Sequence, residues 1–164
     1  MPLDVARLHE YHAWANDRLC AHLATLPGET SRTAVASVFP TIDAVLAHVY
    51  VVDHGWLAMM RGVPFAEAAA ASFPLIKETR GLQLDELSDR LRAQAAEYRA
   101  FLGAGPDVEA LHTIGTLPMT IADMMHHVVV HGSYHRGNVS AMLHQLGHAG
   151  VPVDYGFFLY TLAT

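Results

Sequence analysis

The sequence predicts an all-α protein, a four-helix bundle, on three observations. Apolar residues recur at helical spacing in four long segments, proline and glycine punctuate the chain between them, and no convincing run of alternating apolar and polar residues speaks for strands. A length of 164 residues suits one domain over 1–164 with a core of useful size. No internal repeat or low-complexity tract interrupts it.

The first predicted helix covers residues 3–26. Leu8, Tyr11, Ala15, Leu19, Leu23 and Leu26 form its stripe, and Pro27-Gly28 ends it. Thr41 can cap a second helix through Ile42, Val45, Val49, Val52, Trp56 and Met60, which Gly62 and Pro64 stop. Residues 62–83 read as a connection with short helical pieces. A third helix is expected from Leu84 to Leu102, with Leu87, Leu91 and Tyr98 on its apolar face, and a loop or small hairpin over 103–118. The fourth opens with Thr120-Ile-Ala-Asp123, a capping-box pattern, and continues to Leu146 with Gly147 at its end. Gly132 and Gly137 inside it each cost about 1 kcal/mol relative to alanine. They predict close backbone approach beside His131 and His135. The aromatic tail from Val151 is expected to pack back on the bundle.

Composition excludes several classes. Hydrophobic residues make up 52% and charged residues 16%, which is incompatible with a disordered chain. The longest apolar segments are broken by Asp43, His48, Asp53, His54 and the pair His126–His127, so none supplies the roughly 18 clean apolar residues of a membrane span. Net charge is −6 and no basic run is present, which argues against nucleic acid as a partner. The opening Met-Pro-Leu-Asp has no signal-peptide character, and a cytoplasmic address is the expectation. The single Cys20 permits no internal disulfide and reads as an ordinary small hydrophobe.

Histidine is the outlier, twelve against ten Lys plus Arg. About 0.9 pairs at i,i+4 are expected by chance. Three occur: His127/His131, His131/His135 and His144/His148. Position on the helix face discriminates better. The inward stripe of the fourth helix includes Met124, Val128, Gly132, Val139 and Met142, with His135 on it and His131 beside it. His126 and His144 fall away, His127 lies at the margin, and His148 is beyond the cap. On the second helix His48 lies between Val45 and Val52, whereas His54 points elsewhere. Three buried imidazoles need partners, and one shared divalent cation would serve His48, His131 and His135 together. A polar core satisfied without metal is the alternative. Three neutral histidines with an open fourth position make a catalytic type of site. Gly132 stands where a His-Glu-x-x-His motif has its glutamate, which removes the main support for peptidase chemistry.

At these residues the chain resembles the DinB/YfiT-like superfamily over nearly its whole length. The resemblance is carried by Tyr11-His-Ala-Trp-Ala-Asn-Asp-Arg18, by Leu46-Ala-His48 with Asp53 and Trp56-Leu-Ala58, and by Pro152-Val-Asp154 with Phe158-Leu159. Its most specific part is His131-Gly-Ser-Tyr-His135-Arg-Gly-Asn138 with Leu143-His-Gln-Leu-Gly147. Asn138 stands where the family often has Gln. The resemblance implies an up-down-down-up bundle, a divalent ion on His48, His131 and His135, and a homodimer. It also implies, as one activity class, S-transferases and isomerases that use low-molecular-weight thiols.

The expected function is therefore a metal-dependent enzyme acting on a small-molecule substrate with such a thiol, zinc being the first choice of ion and nickel the second. A metal-dependent hydrolase and a non-catalytic, metal-stabilised stress or interaction protein are the alternatives. No catalytic residue beyond the ligands is assigned. Tyr11, Tyr50 and Tyr134 are read as packing residues before proton donors, and Arg136 as a solvated surface arginine before an anion holder. Asp53 is read as a surface or hydrogen-bonding residue, not a fourth ligand. Trp14, Trp56, Met124, Met125 and Met142 are expected in the core.

Overall fold

A computed structural model describes residues 4–163. Its elements are α1 (Val5–Leu23), a single 3-10 turn (Thr30–Arg32), α2 (Ile42–Met60), α3 (Phe65–Thr79), α4 (Leu84–Gly103), the strands β1 (Leu111–Ile114) and β2 (Leu117–Thr120), α5 (Ile121–Gln145) and α6 (Tyr155–Ala163). Residue 3, placed in the first helix by periodicity, lies outside the described residues. That helix also stops at Leu23, three residues before the expected end.

Local chemistry sets the helix starts. The Asp4 carboxylate accepts from Arg7 N at 3.1 Å, and the Thr41 hydroxyl from Ala44 N at 3.2 Å. The anticipated capping box forms at α5: Asp123 N donates to Thr120 Oγ1 at 3.0 Å, and Thr120 N donates back to Asp123 Oδ2 at 2.9 Å. A second box, unanticipated, joins Gln83 and Glu86 at α4. The β1–β2 loop is Gly115-Thr116, with Gly115 at φ +64 as the first central residue, which suits a type II′ hairpin.

Cross-helix pairs fix the directions of the four long helices. Asn16 meets Arg136 and His22 meets Ala149, so α1 and α5 run parallel. Glu10 pairs with Arg99 and Asp17 with Arg92, so α1 and α4 are antiparallel. Gln94 and Tyr98 donate to the carbonyls of Tyr50 and Asp53, which makes α4 parallel to α2. Trp56 packs on His127 at a tilt while His48 meets His135, which makes α2 antiparallel to α5. In chain order α1, α2, α4 and α5 therefore run up, down, down, up.

The core divides into two apolar clusters. One contains Leu8, Tyr11, Leu57, Met60, Tyr98, Met124, Met125 and Val128, and the other Leu19, Leu23, Ile42, Val45, Leu87, Val139, Met142 and Leu143. Between them the same helices contribute buried polar groups: His12 and Asn16 from α1, Asp53 from α2, Gln94 from α4, and His135 and Arg136 from α5. A polar stratum thus crosses the middle of the bundle.

Three expectations are corrected here. Residues 62–83 hold one continuous 15-residue helix, α3, despite Pro74 inside it. Arg136 is no surface residue: it is 4% exposed, because α5 turns it onto α1 and into the polar stratum. Gly137 approaches nothing within 4 Å, so only Gly132 fulfils the close-approach expectation. The aromatic tail does return, as α6, and buries Phe158 against Tyr11 and Trp14. Among the described residues no helix is long and apolar enough to cross a membrane.

Candidate metal centre

His48 is presented by α2, and His131 and His135 by α5, one turn apart on the side that faces α2. On a helix such i,i+4 side chains lie on one face, and the antiparallel partner brings His48 opposite them. Nε2 of His131 lies 3.2 Å from Nε2 of His48 and 3.1 Å from Nε2 of His135. Among the described residues these three form the one group of three or more potential ligands whose atoms all fall within 4.8 Å of one another.

Hydrogen bonding alone satisfies this arrangement poorly. A ring nitrogen carries either one hydrogen or one in-plane lone pair, so His131 Nε2 cannot serve both neighbours with good geometry. A central cation accepts a lone pair from each. Bonds of about 2.0–2.1 Å at tetrahedral angles put ligand nitrogens about 3.3 Å apart, close to the separations found. The residues present fit a divalent ion.

The electrostatics favour the ligating form. Desolvation, and then the neighbouring His135, His48, His127 and His12, push the His131 imidazole down to about 3. Desolvation also lowers His48 and His135, with Asp53 opposing in both cases. Neutral imidazole is what a metal requires. Aromatic rings surround the cluster. Phe39 lies 5.0 Å from the His48 ring and 5.5 Å from His135, Tyr134 packs edge-on to His135 at 5.1 Å, and His127 stacks on His131 with Trp56 tilted against its other side. Asn138 Nδ2 comes within 3.5 Å of His135 Nδ1.

Behind the cluster is a network that sequence reasoning did not assemble. His12 Nε2 lies 2.8 Å from Asp53 Oδ2, and Arg136 Nη1 donates to Asn16 Oδ1 at 2.8 Å while lying 3.4 Å from His12 Nδ1. Asn16 Nδ2 also lies 3.0 Å from His12 Nε2, so Asp53, Asn16 and Arg136 together hold the His12 ring. Arg136 Nη2 also donates to Ser133 Oγ at 3.0 Å. Asp53 is thus a buried hydrogen-bonding residue, 2% exposed, and not a surface one. Burial pushes the Arg136 guanidinium down from its ordinary value, with Tyr11 and Asp53 opposing. A Cβ on Gly132 would lie 2.3 Å from His12 Cε1. His12 is itself pinned, so the glycine is what allows α1 to approach α5. Tyr11, His12, Asn16 and Gly132 all lie within the motif segments. The missing signal was their mutual contact, which needs the fold.

Other expectations meet varied outcomes. Cys20 is buried among apolar neighbours, and desolvation pushes its thiol up to about 11, the mark of an inert cysteine. Met124, Met125 and Met142 are fully buried. Trp56 is only partly buried and borders a chamber. Tyr11 is 5% exposed and donates to Val153 O at 3.0 Å, whereas Tyr134 is 63% exposed.

Comparison with known proteins agrees with this architecture. The family model described as DinB family matches residues 1–162. Protein DinB of Bacillus subtilis (strain 168) is 36% identical over 163 residues, covering 96% of this chain and 95% of that protein. The helical fold and a match across nearly every residue lead to one conclusion: the chain belongs to the DinB family.

Proposed function

We propose that the chain is a metal-dependent enzyme that acts with a low-molecular-weight thiol, as an S-transferase or isomerase, with His48, His131 and His135 holding zinc or, as second choice, nickel. The observation that carries this reading is the convergence of three uncharged ring nitrogens at 3.1 and 3.2 Å. A divalent ion held there would lower the pKa of a thiol and favour its thiolate, the nucleophilic form. The protein's share is to keep all three imidazoles neutral, so that the ligands leave the positive field undiminished.

In transfer, the thiol proton leaves to solvent, the sulfur pair forms a bond to carbon, and the leaving group departs with the electrons of the broken bond. Hydrolysis would use the same three ligands; no carboxylate joins the ligand group among the described residues, and of the Asp53 carboxylate Oδ2 is held by His12 while Oδ1 has no partner. A cytoplasmic homodimer remains part of the proposal.

The test is elemental analysis of wild type beside His135→Ala, followed by assay of thiols against organic electrophiles. About one ion per chain is expected in wild type and little in the variant, since three ligands make the site. Turnover should require both metal and thiol. Turnover that persists without any thiol would transfer the assignment to hydrolysis.

A further inference from the structure

We propose that the chamber between α2 and α3 binds the second substrate of the thiol reaction, an elongated and mostly apolar electrophile carrying one anionic group. The inference rests on the thiol reading for its chemistry, but not for its geometry. The chamber has a volume of about 980 Å³, the upper part of the range of roughly 300–1,000 Å³ typical of small-molecule sites. His48 is part of its wall, and Phe39 lies both on that wall and against His48 and His135. A molecule in the chamber therefore borders one of the three candidate ligands, His48, and the Phe39 ring packed on the cluster.

The space arises from small side chains. Ala47 and Gly55 on α2 face Ala69 and Ser72 on α3. A Cβ on Gly55 would meet Ser72 Oγ at an ordinary 3.6 Å, so the absent side chain is what keeps the chamber open at that waist. On the far side of the waist the wall is Trp56, Met59 and Phe65. Phe65 and Ile76 remain 50% and 47% exposed although both line the chamber. An apolar occupant would cover them.

Charge is confined to the opposite end, where Arg32, Asp43 and Arg80 line the wall. Arg32 lies 3.8 Å from Asp43, so those two offset each other. Arg80 forms no ion pair with the described residues, which leaves one positive charge for one anion. At 1.5 Å per residue, Asp43 lies about 7 Å from His48 along α2 and Met59 about 16 Å the other way. The fitting molecule thus has its reactive carbon near His48, its anionic group one to two helical turns toward Arg80, and its apolar body running to Trp56 and Phe65.

The experiment uses the full chain stripped of metal and without thiol, titrated with 8-anilinonaphthalene-1-sulfonate and with its uncharged analogue N-phenyl-1-naphthylamine. One sulfonate dye per chain is expected. Ala69→Trp and Ser72→Leu, which fill the chamber from α3, should each weaken binding about tenfold or more, because overfilling costs enough for that factor. Ala70→Trp, one residue along on the exposed side of α3, should leave it unchanged. Arg80→Glu should abolish the preference for the sulfonate over the uncharged dye. Circular dichroism confirms folding, and either filling variant suffices if the other fails to fold.

Equal dye affinity in Ala69→Trp and Ala70→Trp would overturn the assignment, as would an Arg80→Glu variant that keeps the anion preference. Dye binding needs neither metal nor thiol, so absence of thiol turnover would defeat the proposed reaction and leave the chamber standing. Conversely, thiol turnover with an unaltered KM for the electrophile in Ala69→Trp would remove the chamber and spare the reaction.

Discussion

His9 shows how burial on its own sets a charge state. It is 2% exposed, stacks on Tyr98 at 4.9 Å, and is pushed down to about 4, first by desolvation and then by His12. Glu10 opposes that shift, while Arg99 adds to it. In the unfolded chain the same ring protonates near 6.5. Between these values the unfolded state binds more protons, so protonation favours unfolding. The stability contributed by neutral His9 is complete above pH 6.5 and is lost as pH falls toward 4. At pH 5 the loss is about 2 kcal/mol. His9→Phe keeps a ring on Tyr98 and removes the titration. Urea denaturation at pH 7.5 and 5 should show a smaller difference for the variant by that amount, and an unchanged difference would contradict the assignment. Arg136 carries the complementary lesson. Its charge reads as solvated in the sequence, since only the fold reveals that Asn16, Ser133 and Tyr11 are waiting for its five donors.

At the level of elements, α3 is the weak member. Only Ala68 and Thr79 are buried among its residues, its chief neighbour is α2, and Pro74 removes one backbone donor from its interior. It escaped detection for the same reasons: the alanine-rich stretch offers no clear apolar period, and proline and glycine suggested breaks. The four long helices were legible because each has an apolar stripe, and α5 had its capping box besides. Amide exchange should separate the two classes. Amides of α3 are expected to exchange at least about tenfold faster than those in the middle of α5, because opening α3 exposes little core. Equal protection would mean that α3 is held by more than its contacts with α2.

At the scale of the molecule, periodicity yields four helices but not their order in space. That order came from the family resemblance, and the cross-helix pairs now account for it. The three histidines were selected by face and brought together by topology, while His12 and Asp53 were missed because their partnership spans the bundle from α1 to α2. A cation on His48, His131 and His135 would tie α2 to α5 in the native state alone, so it should raise thermal stability by linkage. With free zinc about 1,000 times Kd, the gain is about 4 kcal/mol, or a Tm increase of about 10 °C for a chain of this size. Calorimetry should show the increment lost on chelation and absent in His48→Ala. No Tm response to zinc or nickel would count against the ligand set.

His48 and His131 are separated by 83 positions. A ribosome adding about 5–20 residues per second delivers the later pair roughly 4–17 s after the first imidazole. Through that interval His48 is a solitary ring with little hold on any cation. On the proposed ligand set, nascent chains and truncated products should therefore be metal-free, and an ion would be taken up only by a polypeptide that is nearly complete.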